Sequence, residues 1–296
     1  MIIGTRGSAL ALAQTRMVVK QLASLCPELG VEVREIKTTG DRVTDRPLAS
    51  LGGYGAFTKE LDQRIVDGEI DAAVNSLKDM PVDLTPGTEL AAVLQRGPVE
   101  DVLLSKVPLE DLPPGAVVGS SSVRRRSILQ WKRPDLEVRD LRGNVPTRIR
   151  KWKEGEYDAI ILAKAGLVRL GIEVQHFVLD PGVFTPAVGQ GAIAVVCAAG
   201  SKHLRCLHQL DDAKTRVEVD AERCVLRALG GGCSVPIGVW ATLDGNELRV
   251  RGSVVTEVRS ESIFIDRTIP LDRKEEGLKE MAEAMLPAVG RCGLAR

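Results

Sequence analysis

The chain has 296 residues, of which 40 are basic and 40 acidic, so its formal net charge at pH 7 is zero. A neutral chain with 3% aromatic residues lacks the excess positive charge and the stacking platforms typical of nucleic-acid-binding proteins. No stretch approaches the roughly 18 consecutive apolar residues that a membrane span requires. The N-terminal sequence MIIGTRGSALALAQ has no basic segment followed by an apolar run and a cleavage site. We therefore expect a cytoplasmic protein with no nucleic-acid and no membrane partner.

Cysteines and histidines are scattered without metal-site spacing. The six cysteines contain no CxxC pair, which in a chain without a secretion signal favours reduced thiols. The three histidines share no zinc-ligand spacing with them. We therefore predict that no metal is bound. These residues are Cys26, Cys197, Cys206, Cys224, Cys233, Cys292, His176, His203 and His208.

The first two thirds of the sequence alternate short apolar strands with amphipathic helices. A strand at residues 2–3 leads through a glycine turn into a helix over 9–25, and a strand over 31–37 follows. The same order returns later, with a strand at 116–119, a helix over 123–132 and a strand over 136–140. Strand–helix–strand units of this kind favour a parallel sheet.

Two similar segments indicate an internal duplication. GEIDAAVNSLKD begins at Gly68 and GEYDAIILAKAG begins at Gly155. The alternative is that G-E-x-D-A is simply a common helix-to-strand turn. Together with the repeated order of elements, the pair favours two similar α/β lobes. Such lobes form a cleft at their strand ends, where ligands usually bind.

The chain crosses between these lobes twice and then changes character. The crossings are predicted at residues 96–99 and in TPAVGQGAIAV, which begins at Thr185. After about residue 213 come a helix, a glycine loop, three strands with a hairpin turn at Asp244-Gly245-Asn246, and a last helix. The predicted domains are a first α/β lobe of residues 1–97 and 189–208, a second of 98–188, and a smaller C-terminal α+β domain of 213–296.

Positive charge is concentrated in residues 124–151, which contain eight arginines and two lysines against three acidic residues. A solvated helix face is the usual explanation of such a run. However, Arg124, Arg125 and Arg126 occupy the first turn of a predicted helix, where the helix dipole disfavours cations. A bound anion would offset that cost, and no GxxxxGK[ST] phosphate loop is present. We therefore predict a small ligand with several carboxylates.

The remaining parts of this anion site come from neighbouring turns. Ser120, Ser121 and Ser122 add hydroxyl and backbone donors at the same helix end. Arg142 and Arg148 flank a Gly-Asn turn, and arginine suits planar carboxylates. A smaller match in the first lobe is Arg6 with Ser8, again at a strand-to-helix turn.

Two further motifs carry candidate chemistry. In NSLKDMP, Lys78 and Asp79 follow a buried strand. They are either a surface ion pair or a site in which cations keep Asp79 ionised, so that it stabilises developing positive charge. In GGGCSVPIG, Cys233 follows three glycines. This position favours a reactive or modified thiol over a buried structural cysteine, although no histidine base lies nearby in sequence.

Nine segments, in order along nearly the whole chain, together resemble the porphobilinogen deaminase (hydroxymethylbilane synthase) family. They are GTRGSALALAQT, TTGD, FTKEL, NSLKDMPVDLTPG, GSSSVRRRSILQ, LRGNVPTR, YDAIILAKAGLVRLG, AVGQGA and GGGCSVPIG. The resemblance implies two lobes like those of periplasmic binding proteins, a third domain, and one dipyrromethane cofactor per chain, bound by a thioether. It also implies that four porphobilinogen molecules are condensed with loss of ammonia. The linear hydroxymethylbilane, an intermediate of haem biosynthesis, is then released by water.

The resemblance also implies roles for individual residues. Asp79 is the expected catalytic residue. The residues expected to hold the cofactor are Cys233, Lys78, Ser122, Arg124, Arg125, Arg142 and Arg148. Those expected to bind substrate are Arg6, Ser8, Phe57, Arg169 and Gln190, to which the serine turn adds Ser120 and Ser121. The chain departs from the family pattern at Asn75, often histidine, and at Tyr54, often lysine. We expect a monomer.

Two other functions are compatible with parts of the sequence. A two-lobed, non-catalytic sensor of a polycarboxylate metabolite would account for the arginines, but not for Cys233 on its glycine loop. A nucleic-acid-binding protein would use the basic segment and would bind in a salt-sensitive way.

Overall fold

A computed structural model describes residues 1–38, 58–231, 235–256 and 258–292. The chain forms two units, Met1–Gly97 with Gly191–Val217, and Pro98–Gln190 with Glu218–Arg296. In chain order the elements are β1 (Ile2–Arg6), α1 (Ala9–Leu25), β2 (Glu32–Ile36), α2 (Lys59–Val66), β3 (Ala72–Ser76), β4 (Thr88–Val93), β5 (Asp101–Leu104), β6 (Val117–Gly119), α3 (Val123–Lys132), β7 (Glu137–Arg139), α4 (Val145–Lys153), β8 (Ala159–Ala163), α5 (Lys164–Leu170), β9 (Phe177–Val178), β10 (Ile193–Ala198), α6 (Leu204–Leu207), α7 (Ala213–Ala228), β11 (Ile237–Asp244), β12 (Glu247–Val254), β13 (Ile263–Pro270) and α8 (Lys274–Arg291).

The first unit is built on a five-stranded mixed sheet in the order β2-β1-β3-β10-β4. Strand β1 is parallel to β2 and β3, whereas β10 is antiparallel to β3 and β4. The core lies between this sheet and α1, where Val18 and Leu22 pack with Ile3, Val74 and Val195. Burial of these apolar side chains is the main force that holds the helix on the sheet.

The second unit contains a sheet of the same design, in the order β7-β6-β8-β5-β9. Here β6 is parallel to β7 and β8, and β5 is antiparallel to β8 and β9. In each sheet the fourth strand in this order comes after the chain has passed from one lobe to the other. Strand β5 follows the first passage, and β10 follows the second. The predicted fold class is thereby confirmed: two similar α/β lobes and a smaller α+β part.

The repeated G-E-x-D-A motif has the same structural role in both sheets. The carboxylate of Asp71 accepts a hydrogen bond from the backbone N–H of Ile2 at 2.6 Å, and that of Asp158 accepts one from Val117 at 2.7 Å. Each aspartate therefore attaches the third strand of its sheet to the first residue of the neighbouring parallel strand. The glycines that open the motifs, Gly68 and Gly155, both have positive φ, 71° and 82°, which residues with a side chain rarely adopt.

The C-terminal part of the second unit contains a three-stranded antiparallel sheet, β11-β12-β13, helix α8 and the residues of α7 from Glu218 onward. The predicted hairpin turn joins β11 to β12, where Asp244 pairs with Glu247. Phe264 of β13 contacts Trp131 of α3, with ring centroids 4.9 Å apart. Helix α7 begins at Ala213. Among the residues that the structure describes, no helix has the length and apolar character needed to cross a membrane.

Candidate active site

A pocket in the first unit brings together three predicted site residues. Because β1 and β3 are parallel neighbours, their carboxyl ends lie at the same edge of the sheet. Strand β1 ends at Arg6, and Ser8 caps α1 by accepting a hydrogen bond from the Ala11 N–H at 3.2 Å. After β3, a short 3₁₀ turn over Leu77–Asp79 brings Asp79 to the same pocket. The lining residues are Arg6, Ser8, Leu10, Ala11, Gln14, Thr58, Val74, Asn75, Ser76 and Asp79.

Two buried polar groups in this pocket have no hydrogen-bond partner among the described residues. They are the amide nitrogen of Asn75, which is 5% exposed, and the hydroxyl of Thr58, which is 1% exposed. A buried donor without a partner costs about 1–3 kcal/mol. A ligand that accepts hydrogen bonds would satisfy both groups. Gln14, in contrast, already donates to Ser76 at 2.8 Å. Lys78 is half-buried and next to Asp79, but it does not line the pocket.

In the second unit, hydroxyl groups shape the start of helix α3. Ser122 caps the helix by accepting a hydrogen bond from the Arg125 N–H at 3.5 Å. The hydroxyl of Ser121 donates to the Leu141 carbonyl at 2.7 Å and accepts from its N–H at 3.0 Å. The hydroxyl of Ser120 accepts from the Ser122 N–H at 3.3 Å. The serine turn is thereby fixed against the turn that carries Arg142.

A buried carboxylate that sequence reasoning missed lies beside Arg124 and Arg125. Asp101, the first residue of β5, has no exposed surface, and the two arginines are 5% and 6% exposed. Their guanidinium groups donate to its two carboxylate oxygens at 2.7 and 2.8 Å. Burial alone would raise the pKa of Asp101, but the two positive charges outweigh this and hold its pKa well below the usual range. The anion predicted at this helix end is thus supplied in part by the chain itself.

Two further contacts complete this buried cluster. The side-chain amide of Gln190 donates to Asp101 at 2.8 Å and to the Val99 carbonyl at 2.6 Å. Next to it, the carboxylate of Glu222 in α7 accepts from the Gly189 N–H at 2.7 Å. Helix α7 therefore positions the AVGQGA segment, and that segment contacts the carboxylate that holds the arginines. Glu222 was also missed from the sequence.

Most of the basic segment is neutralised within its own unit, which corrects the interpretation that its local excess charge is available to a ligand. Among the described residues, ion pairs are formed by at least six of its eight arginines. Two partners, Asp101 and Glu154, lie outside the segment whose charges were counted. The pairs are Arg124 and Arg125 with Asp101, Arg126 with Asp140, Arg133 with Asp135, Arg139 with Glu137, and Arg150 with Glu154.

The two other arginines of the segment, Arg142 and Arg148, are half-buried on either side of Gly143. The Nε of Arg148 donates to the Gly143 carbonyl at 2.7 Å, which orients the guanidinium. Arg169, near the end of α5, is also partly buried, and this burial lowers its pKa to about 10. At this pKa the Arg169 guanidinium stays cationic at neutral pH.

Three residues singled out from the sequence, Phe57, Cys233 and Tyr54, lie outside the described residues. Strand β11, which begins at the end of the Cys233 motif, is closely packed. A Cβ added to Gly238 in β11 would lie 2.6 Å from the Thr185 carbonyl oxygen, which itself accepts a hydrogen bond from Arg124 at 2.7 Å. Only glycine permits this close approach.

Comparison with known protein families shows to which family the chain belongs. The model of the porphobilinogen deaminase dipyrromethane cofactor binding domain matches residues 1–206. The model of the porphobilinogen deaminase C-terminal domain matches residues 216–287. The chain belongs to the porphobilinogen deaminase family. The resemblance stated from the sequence is confirmed, and so is the prediction of a dipyrromethane cofactor.

Relatives in the porphobilinogen deaminase family are similar over most of their length. A probable porphobilinogen deaminase of Methanosarcina mazei is 44% identical over 98% of this chain and 93% of that protein. The porphobilinogen deaminase of Brevibacillus brevis is 49% identical over 85% of this chain and 83% of its own. Among solved structures, an ancestral cationic amino acid solute-binding protein matches 71% of this chain and 87% of its own, at 14% identity and a TM-score of 0.43.

The residues of this chain fit the cofactor expected in a porphobilinogen deaminase. Dipyrromethane carries carboxylate side chains, and Arg125 offers a buried Nε that has no hydrogen-bond partner in the described part of the chain. Cationic Arg142 and Arg148 follow the turn that Ser121 fixes. These groups would hold carboxylates by charge-assisted hydrogen bonds.

Proposed function

We propose that this chain is a hydroxymethylbilane synthase. It condenses four porphobilinogen molecules head to tail onto a dipyrromethane primer attached to Cys233, with loss of ammonia at each addition. It then releases the linear tetrapyrrole by hydrolysis. The observation that carries this proposal is the pocket in which Asp79 lies with Arg6, Ser8 and two buried donors that have no partner among the described residues. This pocket lies inside the region matched by the cofactor-binding domain model.

Asp79 is the proposed catalytic residue. Its carboxylate stabilises the positive charge that develops on the pyrrole nitrogen as ammonia leaves, and it moves a proton at that nitrogen. Arg6 and Ser8 bind a carboxylate of the incoming porphobilinogen. The Asn75 amide and the Thr58 hydroxyl donate to further acceptor atoms of the ligand.

The dipyrromethane group supplies the covalent primer to which each new ring is joined. We propose that Lys78, Ser122, Arg124, Arg125, Arg142 and Arg148 hold its carboxylates. Arg169, Gln190, Ser120, Ser121 and Phe57 would contribute to binding of substrate or of the growing chain. Asp101 neutralises one of the two charges of Arg124 and Arg125, so this pair retains one net positive charge for a ligand carboxylate.

Several finer assignments belong to the same proposal. The enzyme acts as a transferase, and porphobilinogen is its small-molecule substrate. The expectations of a cytoplasmic location, a monomer and no nucleic-acid partner stay predictions. A non-catalytic sensor is not favoured, because the family to which the chain belongs consists of enzymes of tetrapyrrole synthesis.

The intact mass of the purified protein tests the primer. We expect an added mass equal to two linked pyrrole rings, absent from Cys233→Ser and retained in Cys224→Ser. Cys224 is the matched control because it is an exposed free cysteine of helix α7. An unmodified wild-type protein that still makes product would contradict the proposal.

Turnover of porphobilinogen tests the role of Asp79. Asp79→Asn should keep the primer mass and lose about 10²- to 10⁴-fold in the rate of ammonia release, the usual contribution of a general acid–base. Asp83→Asn, a change at another aspartate of the same loop, is the control and should stay close to wild type. Near-normal ammonia release by Asp79→Asn would remove Asp79 from the mechanism.

A further inference from the structure

Two thiols and a carboxylate meet on the first unit, outside the residues that line the pocket. Cys26 caps the C-terminal end of α1 and is 2% exposed. Glu28 follows two residues later and is exposed, and Cys206 lies in α6. The two sulfur atoms and a Glu28 oxygen all lie within 4.8 Å of one another. Sequence spacing predicted no metal site because the two cysteines are far apart along the chain.

The two thiols of this cluster can act as metal ligands, since a coordinating thiol loses its proton to the metal. The side-chain amide of Gln209 donates to the Cys26 sulfur at 3.6 Å. A donor of this kind orients a thiolate ligand and balances its charge.

We propose that Cys26, Glu28 and Cys206 bind one thiophilic divalent cation of the zinc type. Two thiolates and a carboxylate form a donor set that zinc accepts, with water in the fourth position. Zinc–sulfur bonds of about 2.3 Å in tetrahedral geometry place two sulfurs about 3.8 Å apart. With all three ligand atoms within 4.8 Å of one another, the observed cluster has the size that one such ion requires.

The proposed site joins two segments that meet only in the folded chain. The end of α1 comes from the start of the chain, and α6 follows the strand β10 that completes the first sheet. A cation that binds this site in the folded state and not in the unfolded state stabilises the folded state by mass action. The site is independent of the proposed catalytic function, because none of its three residues lines the pocket of Asp79.

Metal titration of the full-length, primer-loaded protein tests this proposal. With Zn²⁺ in competition with a chromophoric chelator, we expect one equivalent to bind. Cys26→Ser and Cys206→Ser should each weaken binding by more than about 100-fold, above the 10- to 100-fold range of outer-sphere partners, and Glu28→Gln should weaken it less. With Co²⁺, the wild type should show thiolate-to-metal charge-transfer absorption that both serine variants lack.

The control variant is Cys224→Ser, which changes an exposed cysteine of the other unit and should bind Zn²⁺ as the wild type does. The proposal is overturned if Cys224→Ser loses as much Zn²⁺ affinity as the Cys26 and Cys206 variants. It is also overturned if Zn²⁺ binding does not depend on Cys26 and Cys206. Freshly purified, metal-free protein in which peptide mapping finds these two cysteines joined as a disulfide, with the loss of two hydrogens, overturns it as well. That outcome would assign the pair to redox chemistry instead.

Discussion

Asp101 carries a negative charge at a position with no solvent exposure. Removing a carboxylate from water costs several kcal/mol, which is recovered only when good hydrogen bonds satisfy the charge. Arg124, Arg125 and Gln190 supply three such bonds. The same bonds determine where the two guanidinium groups lie, so we regard Asp101 as a positioning residue for the proposed cofactor site.

Asp101→Asn should lower the free energy of unfolding by about 3–5 kcal/mol, because it leaves two buried guanidinium groups without their counter-charge. The measurement is urea unfolding at neutral pH, with the primer content read from intact mass. Asp135→Asn is the control, since it removes the partner of Arg133 at a much more exposed position and should have a far smaller effect. Equal losses in the two variants would contradict the role of Asp101.

The stabilisation by Asp101 should also depend on pH. Its pKa is lower in the folded protein than in the unfolded chain, so its contribution is fully present above the unfolded pKa of about 3.9 and is lost as the pH falls below that value. The difference in unfolding free energy between wild type and Asp101→Asn should therefore stay constant from about pH 7 to 5 and shrink below about pH 4. A difference that grew on acidification would show that the sign is wrong.

At the scale of the secondary-structure elements, the two lobes have the same strand order. They also have the same hydrogen bonds between an aspartate and a neighbouring parallel strand. Asp71 and Asp158 each accept a hydrogen bond from the first residue of a neighbouring parallel strand. Both also form the backbone contact to the same partner strand, through their own N–H groups, at 2.8 and 2.9 Å. The repeated sequence G-E-x-D-A is therefore more than a common turn, because its aspartate makes the same bonds twice.

Asp71→Ala and Asp158→Ala should each destabilise the protein by about 1 kcal/mol, the net value of one such hydrogen bond. Because the two residues belong to different units, the double variant should lose the sum of the two effects within about 0.5 kcal/mol. Urea unfolding of the four proteins measures this. A large coupling energy would mean that the attachments are not independent.

The whole molecule has zero net charge, although it contains a strongly basic segment. Most charges of this segment are paired with acidic residues of the same unit. The cations proposed to bind the cofactor are therefore a small part of the total. Binding of a polyanionic group to the folded state stabilises that state when the unfolded chain has no comparable site.

Cys233→Ser, which cannot hold the primer, should consequently unfold at a lower temperature than the primer-loaded wild type. Differential scanning calorimetry measures the shift, and Cys224→Ser, which keeps the primer, is the comparison. The stabilisation that Cys233→Ser lacks comes from charge pairing. The difference in unfolding temperature between Cys233→Ser and Cys224→Ser should therefore become smaller at high salt. Identical unfolding temperatures would indicate that the cofactor makes few contacts with the folded chain.

The sequence by itself determined the alternation of strands and helices in the two lobes and three residues of the pocket in the first unit. Helices over 9–25 and 123–132 were predicted at their observed bounds, because apolar periodicity and capping residues are local signals. Arg6, Ser8 and Asp79 were predicted because each follows a recognisable strand, and neighbouring parallel strands end at one edge of a sheet.

Only the tertiary structure decided which charges and thiols meet. Asp101 begins the apolar strand β5, and its charge there was a signal that a partner was needed, but the sequence could not say that Arg124 and Arg125 provide it. The same holds for Glu222 with Gly189 and for Cys26 with Cys206. The physical reason is that periodicity reports how each segment buries its own face, whereas ion pairs and ligand clusters depend on distances through space between segments that are far apart along the chain.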